Sequence, residues 1–86
     1  MIAVCDSELL GKILKTKDFE IHINPRFYGS KEITEKELIP LLKKMTSGNF
    51  IGKKAVSIAL KLGFIEEKNI IYIEGVPHAQ FFIMRL

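Results

Sequence analysis

TEKELIPLLKKMT (residues 34–46) and FIGKKAVSIALKLG (residues 50–63) decide the fold of this chain, because they carry its two helical periods. Thr34-Glu35-Lys36-Glu37 is a capping box, in which the threonine hydroxyl and the glutamate carboxylate satisfy each other's backbone amides at a helix start. Ile33 and Leu38 take the flanking staple positions, and Leu38, Leu41, Leu42 and Met45 follow at helical spacing. Pro40 removes one backbone donor, so a kink or an irregular first turn is expected there, with the helix ending near Thr46 to Gly48. In the second stretch Ile51, Ala55, Ile58, Ala59 and Leu62 share one side at about 100° per residue, while Lys53, Lys54, Ser57 and Lys61 share the other. This predicts a helix from about Phe50 to Leu62, closed by Gly63 as a left-handed cap with Phe64 and Ile65 folding back onto it.

Outward from these stretches the pattern changes to alternation. Met1 to Cys5 is a short apolar run, and Phe19, Ile21 and Ile23 alternate with Glu20, His22 and Asn24, as in a strand with one buried face. Asp6 suits the cap of a short turn through Leu9 and Leu10 that Gly11 ends. Pro25 and Gly29 make Asn24 to Ser30 a turn that carries Arg26, Phe27 and Tyr28. Towards the C-terminus, Ile70 to Ile73, a turn around Gly75, and Ala79 to Met84 read as a hairpin, with Pro77 where the second strand begins. The expected fold class is α+β, with two main helices packed on one face of a small, mostly antiparallel sheet. All of residues 1–86 form one expected domain, since a second core would need roughly 50 residues of its own.

Composition narrows the chemistry. The one cysteine, Cys5, cannot form an internal disulfide, and with only His22 and His78 beside it there is no ligand set for a structural zinc site. No metal and no cofactor are expected. No apolar run approaches the roughly 20 residues of a membrane span, and Met1 to Cys5 is cut off at Asp6, so a cytoplasmic protein away from membranes is expected. Lysine outnumbers arginine eleven to two and isoleucine reaches thirteen, a bias shared by hyperthermophile proteins and by the products of AT-rich genomes.

Charge patterning is the most informative chemical feature. From Lys43 to Gly63 there are five lysines and no acidic residue, although the whole chain carries only +3. Such a patch attracts phosphate backbones, and it also describes an ordinary solvated helix face. Ser47 to Lys54 superficially resembles a phosphate loop, but only three residues separate Gly48 from Gly52, and Lys54 stands where Ser or Thr would follow the lysine. What survives is Asn49 as a helix cap, with free amides at Phe50 to Gly52 and Lys53 nearby suiting a single anion. Gly75-Val76-Pro77-His78-Ala79-Gln80 places the only glutamine two residues from His78, on the same side of a strand. A histidine beside a turn serves as a proton shuttle, a base contact or a ring bonded to a carbonyl. Cys5 in an apolar strand reads as packing rather than as a nucleophile, and no carboxylate pair has spacing for acid/base work, so no complete catalytic set emerges.

Taken together, Ala3-Val4-Cys5-Asp6, Glu8-Leu9-Leu10-Gly11-Lys12, Phe27-Tyr28-Gly29, Asn49 with Gly52, and Gly75-Val76-Pro77-His78-Ala79-Gln80 resemble the archaeal family called domain of unknown function 424. The blocks occur in the family's order along nearly the whole chain, and the last is specific. The chain departs at its start, where members carry an additional short strand before the Ala3 to Asp6 block. The resemblance implies an archaeal, cytoplasmic α+β protein without established activity, in the company of translation and RNA-processing genes.

Two functions follow as expectations. One is a small RNA-binding or translation-associated module on RNA or the ribosome, using the basic helix face, with Asn49, Lys53, Lys54, Lys61, His78, Gln80 and Tyr28 as RNA or anion contacts. The alternative is a protein–protein interaction module without enzymatic activity, a homodimer or a partner-binding protein, joined through an exposed edge strand. Lysines converging with Tyr28 and His78 favour the first, and an apolar patch on an uncovered edge favours the second. Thr34→Ala is expected to cost about 1 kcal/mol through loss of the capping box, measured as a shift in the urea unfolding midpoint.

Overall fold

The computed structural model describes residues 2–28 and 34–83, beginning with β1 (Ile2–Cys5) from the N-terminal apolar run. A 3-10 turn over Ser7–Leu9 leads to a hairpin of β2 (Ile13–Lys15) and β3 (Glu20–His22), then to the short helix α1 (Pro25–Tyr28). After these come α2 (Glu35–Lys44), β4 (Ser47–Ile51) and α3 (Lys53–Lys61). A second 3-10 turn (Glu67–Asn69) precedes β5 (Ile71–Ile73) and β6 (Val76–Phe82). The main sheet has the order β1-β4-β6-β5; β1 is parallel to β4, and the other pairs are antiparallel. With α2 and α3 on one face of this sheet, the fold is α+β.

Register assigns each face. Ile2, Val4, Gly48, Phe50, Ala79 and Phe81 point to the helices, where they meet Leu38 and Leu42 of α2 and Ala55, Val56 and Ala59 of α3. The small Ala55 and Ala59 let α3 approach closely, and Phe81 lies between Phe50, on which it stacks at a centroid distance of 5.7 Å, and Phe64, which is tilted against it at 4.9 Å. Gly48 is needed here because a Cβ would overlap the Phe81 ring. The second face carries Ala3, Cys5, Ser47, Asn49, Ile51, Ile73, Val76, His78, Gln80 and Phe82. The β2–β3 hairpin covers only one half of it, packing Leu14 and Ile23 with Leu9 against Ile51 and Ile73.

Local signals behave as their chemistry requires at several points. Thr34 and Glu37 form the capping box, each accepting at 3.2 Å from the other's backbone N–H. Ile33, its staple partner, lies outside the described residues. The helix α2 continues through Pro40 rather than starting irregularly there; Pro40 and Lys36 are both exposed, so the carbonyl left without a helical donor faces water. Gly63 (φ +80°) ends α3 in a Schellman motif, with Phe64 N–H donating to the Ala59 carbonyl and Gly63 N–H to that of Leu60. Glu74 and Gly75, both at positive φ, make the two-residue turn between β5 and β6, and Glu74 Oε1 accepts from Lys15 N–H at 3.2 Å, fastening the small hairpin to the sheet.

Other expectations are corrected. The predicted turn from Asn24 is the helix α1, with Pro25 at its first position and Asn24 Oδ1 accepting from Arg26 N–H at 2.9 Å; Gly29 and Ser30 lie outside the described residues. β2, hidden by its shortness and its lysines, pairs with β3. The first long helix stops at Lys44 rather than near Thr46 to Gly48. The second does not begin at Phe50: Phe50 and Ile51 belong to β4, the strand flanked by β1 and β6, whose ladders on both edges outweigh helical periodicity. The last strand covers Val76–Phe82 rather than Ala79 to Met84, so Pro77 is inside it and accepts from Gly52 N–H at 2.9 Å. Met84 lies outside the described residues.

Asp6 explains where α3 starts. It makes no side-chain bond to its own turn; its Oδ1 and Oδ2 accept instead from Ala55 N–H at 2.8 Å and Lys54 N–H at 3.1 Å. A residue nearly fifty positions away thus caps α3, and it does so at only 8% exposure. Gly52, at φ +111°, turns the chain from β4 into α3 and leaves room for the carboxylate, which a Cβ would strike. Removing one partner from a buried charged hydrogen bond is costly, so Asp6→Ala is expected to lower stability by about 2–4 kcal/mol. Gly52→Ala should cost a similar amount through backbone strain and the clash. The double variant should be less destabilised than the sum, because only the strain remains once the carboxylate is gone; denaturant midpoints of the four proteins measure this coupling.

Candidate nucleic-acid interface

The seven residues singled out in the sequence separate into two groups. Asn49, His78 and Gln80 meet on the second face of the sheet, in its half left open by the hairpin. Asn49 stands opposite Gln80 in the β4–β6 ladder, and Ile51 opposite His78. The His78 ring is half-buried, and its Nε2 lies 2.7 Å from Asn49 Oδ1. An amide oxygen can only accept, so in this arrangement Nε2 carries the proton and the Asn49 amide nitrogen remains free to donate. Burial pushes the His78 pKa below its ordinary value, favouring the neutral ring.

Lys53, Lys54 and Lys61 lie on the opposite side of the molecule, exposed along α3. Lys61 Nζ is 3.3 Å from Glu35 Oε1, which links the end of α3 to the start of α2. Lys53 and Lys54 have no ion-pair partner among the described residues, nor do Lys43 and Lys44 in the last turn of α2. Tyr28 is half-buried beside β1, in the wall of a groove of about 740 Å³ shared with Leu38, Leu41, Lys54 and Lys61. Its phenol pKa is raised, first by burial and then by Cys5. The structure therefore brings Tyr28 near Lys54 and Lys61 but separates it from His78, since β4 lies between β1 and β6.

Asn49 does not cap a helix. Of the amides to which the anion reading pointed, those of Phe50 and Ile51 lie in β4 between its two ladders and Gly52 N–H donates to Pro77; at the start of α3, Lys54 and Ala55 N–H donate to Asp6. The helix-terminal anion site is filled by the chain's own carboxylate. Cys5 faces the same side of the sheet as His78, but Ile51 stands between them. Burial, followed by the charges of Asp6 and Glu8, raises the Cys5 thiol pKa, the direction opposite to an activated thiolate. Among the described residues, no three His, Cys, Asp or Glu side chains are grouped to hold a metal ion, and no helix is long and apolar enough to cross a membrane.

Two contributors were not singled out in the sequence. Asp6 as the cap of α3 left no local signal, because its partners are remote. Phe82 stands on the open half of the sheet opposite Ser47 and is 76% exposed, the most exposed large apolar residue among those described. The Phe81-Phe82 pair alternates in and out, but only the β4–β6 register shows which ring is buried.

Fold and site together define a small α+β protein with helices on one sheet face and a half-open, polar second face. The chain belongs to the family described as protein of unknown function, DUF424, whose family model matches residues 1–84. A solved structure, that of an uncharacterized conserved protein from Methanopyrus kandleri, is similar to it at 30% identity and a TM-score of 0.80. The match covers 98% of this chain and 81% of that one. No curated protein has a matching sequence.

His78 has a measurable consequence for stability. Its pKa is lowered in the folded state, so just below about pH 6.5 the unfolded chain binds more protons than the folded one. Its contribution is complete above about 6.5, falls as the pH drops towards the folded-state pKa, and levels off below it. Urea midpoints of wild type and His78→Gln between pH 8 and pH 5 should show a smaller fall in the variant.

Proposed function

We propose that this protein is a small RNA-binding, translation-associated module that draws on unpaired lysines for phosphate attraction. The observation that carries this reading is the placement of Lys43, Lys44, Lys53 and Lys54. All four are exposed, none has an ion-pair partner among the described residues, and the two pairs bracket β4 in the chain. The five residues of β4 alone span about 16 Å, with Met45, Thr46 and Gly52 also between the pairs, so a bound single strand would have to cover several nucleotides to touch both. The polar group of Asn49, His78 and Gln80 on the open face of β4 and β6 supports the same reading, because amide and imidazole groups are those that contact base edges. Lys61 is a weaker contributor, its charge being partly met by Glu35. Tyr28 belongs to the groove beside β1.

A second reading is favoured by that groove, which runs along β1, an end strand of the sheet, and so suits a protein partner that adds a strand. Binding of wild type and a Lys43→Gln, Lys44→Gln, Lys53→Gln, Lys54→Gln variant to fluorescent single-stranded and hairpin RNA separates the two. For RNA binding, log affinity should fall linearly with log salt, at about 0.7 per phosphate contacted for single strands. The fourfold variant should bind more weakly with a flatter slope. Equal slopes, or no wild-type binding at low salt, would leave the protein-partner reading ahead.

A further inference from the structure

On the open half of the second sheet face, the register arranges the side chains in two rows. Ser47 and Phe82 form one, and Ala3, Asn49 and Gln80 the next; His78 borders them where the hairpin begins. Neighbours within a row are about 4.8 Å apart, and successive rows on one face of a strand about 6.8 Å. The floor is low because Ala3 and Ser47 are small. Above it stands one exposed aromatic ring, that of Phe82. Among the described residues the Gln80 amide and the Asn49 amide nitrogen have no partner, while the Asn49 oxygen is held by His78 Nε2 at 2.7 Å. No residue in either row is acidic. Lys44, at the end of α2 and without an ion-pair partner among the described residues, is three residues before Ser47, so its Cα lies within about 11 Å of that end of the rows.

From this arrangement we infer that the open half-face is a site for unpaired nucleobases. A base stacks on Phe82, Asn49 and Gln80 hydrogen-bond its edge, and His78 is a positioning residue that fixes the Asn49 amide. The inference rests on the RNA reading above and deepens it by naming single-stranded segments as the ligand. Three features select this occupant. An apolar protein surface laid over the rows would bury two amides without partners, whereas a base has donors and acceptors along its edge and a π-face for the ring. The absence of any carboxylate in the rows, with Lys44 close to their Ser47 end in the chain, favours a polyanion. Duplex RNA keeps its bases stacked and its major groove narrow, so an isolated ring on a flat sheet can engage only splayed bases.

The test measures affinity for fluorescent ten-nucleotide oligo-A, oligo-U and oligo-C and for a hairpin duplex, at low and physiological salt. Phe82→Ala should weaken single-strand binding about tenfold or more, with the salt slope unchanged because no phosphate contact is removed. Phe82→Tyr should restore affinity and Phe82→Leu should not, which distinguishes stacking from a packing role. At 76% exposure, all three variants should melt within a few degrees of wild type. Asn49→Ala with Gln80→Ala should reduce the differences among the three oligonucleotides. Wild-type affinity in Phe82→Ala alongside loss in the fourfold lysine variant would overturn the sheet site and leave phosphate binding standing. Duplex bound as tightly as single strands would also overturn it. No wild-type binding to any RNA at low salt would remove both readings together.

Discussion

The contact between Asp6 and the first turn of α3 is the one on which the arrangement of this protein depends. It joins the end of β1 to the start of α3 through two charge-assisted bonds of 2.8 and 3.1 Å, in a site almost closed to water. The geometry is possible only because Gly52 sits at φ +111° with no Cβ in the carboxylate's place. The Asp6 N–H also donates to the Ile51 carbonyl at 3.2 Å, so one residue completes the β1–β4 ladder and begins the helix that packs over it. In a chain this small the core is limited, and a buried polar contact of this kind contributes to specificity by fixing how helix and sheet meet.

That contact also bears on function. A free helix N-terminus next to Lys53 and Lys54 would form an anion site, and the carboxylate of Asp6 takes it up. The positive charge this region presents is therefore carried by side chains at the ends of α2 and α3 rather than by backbone amides. Meanwhile the small hairpin, fastened by Glu74 to Lys15, covers Ile51 and Ile73 and stops before Asn49 and Gln80. The division of the second face into a dry half and an open polar half results from how far this hairpin reaches.

Much of the architecture was legible in the residues themselves, for identifiable reasons. Thr34 and Glu37 cap a helix through atoms three residues apart, and Gly63 ends another through bonds to the preceding turn. A turn around Gly75 was visible from the glycine, whereas its tightness was not: Glu74 shares the positive φ, and β6 begins at Val76 rather than Ala79. β4 was not legible. Its five residues, Ser47–Ile51, include a glycine and an asparagine, and they run into a helix whose apolar stripe includes Ile51 when extended backwards. Periodicity reports which side of a segment is apolar, whereas β4 is set by backbone bonds to β1 and β6.

For the site, the sequence alone determined the inventory: a lysine-rich stretch free of acids, one glutamine two residues from a histidine, and one cysteine. Tertiary structure decided the grouping. Asn49 and His78, twenty-nine positions apart, come within 2.7 Å because the β4–β6 register places them on one face. The same register turns Phe81 inward and Phe82 outward, and the parallel pairing of β1 with β4 puts Ala3 beside Asn49. Local chemistry specifies caps and turns because the bonds involved close within a few residues. Strand register depends on partners distant in the chain, and a shift of one residue would exchange the buried and open faces.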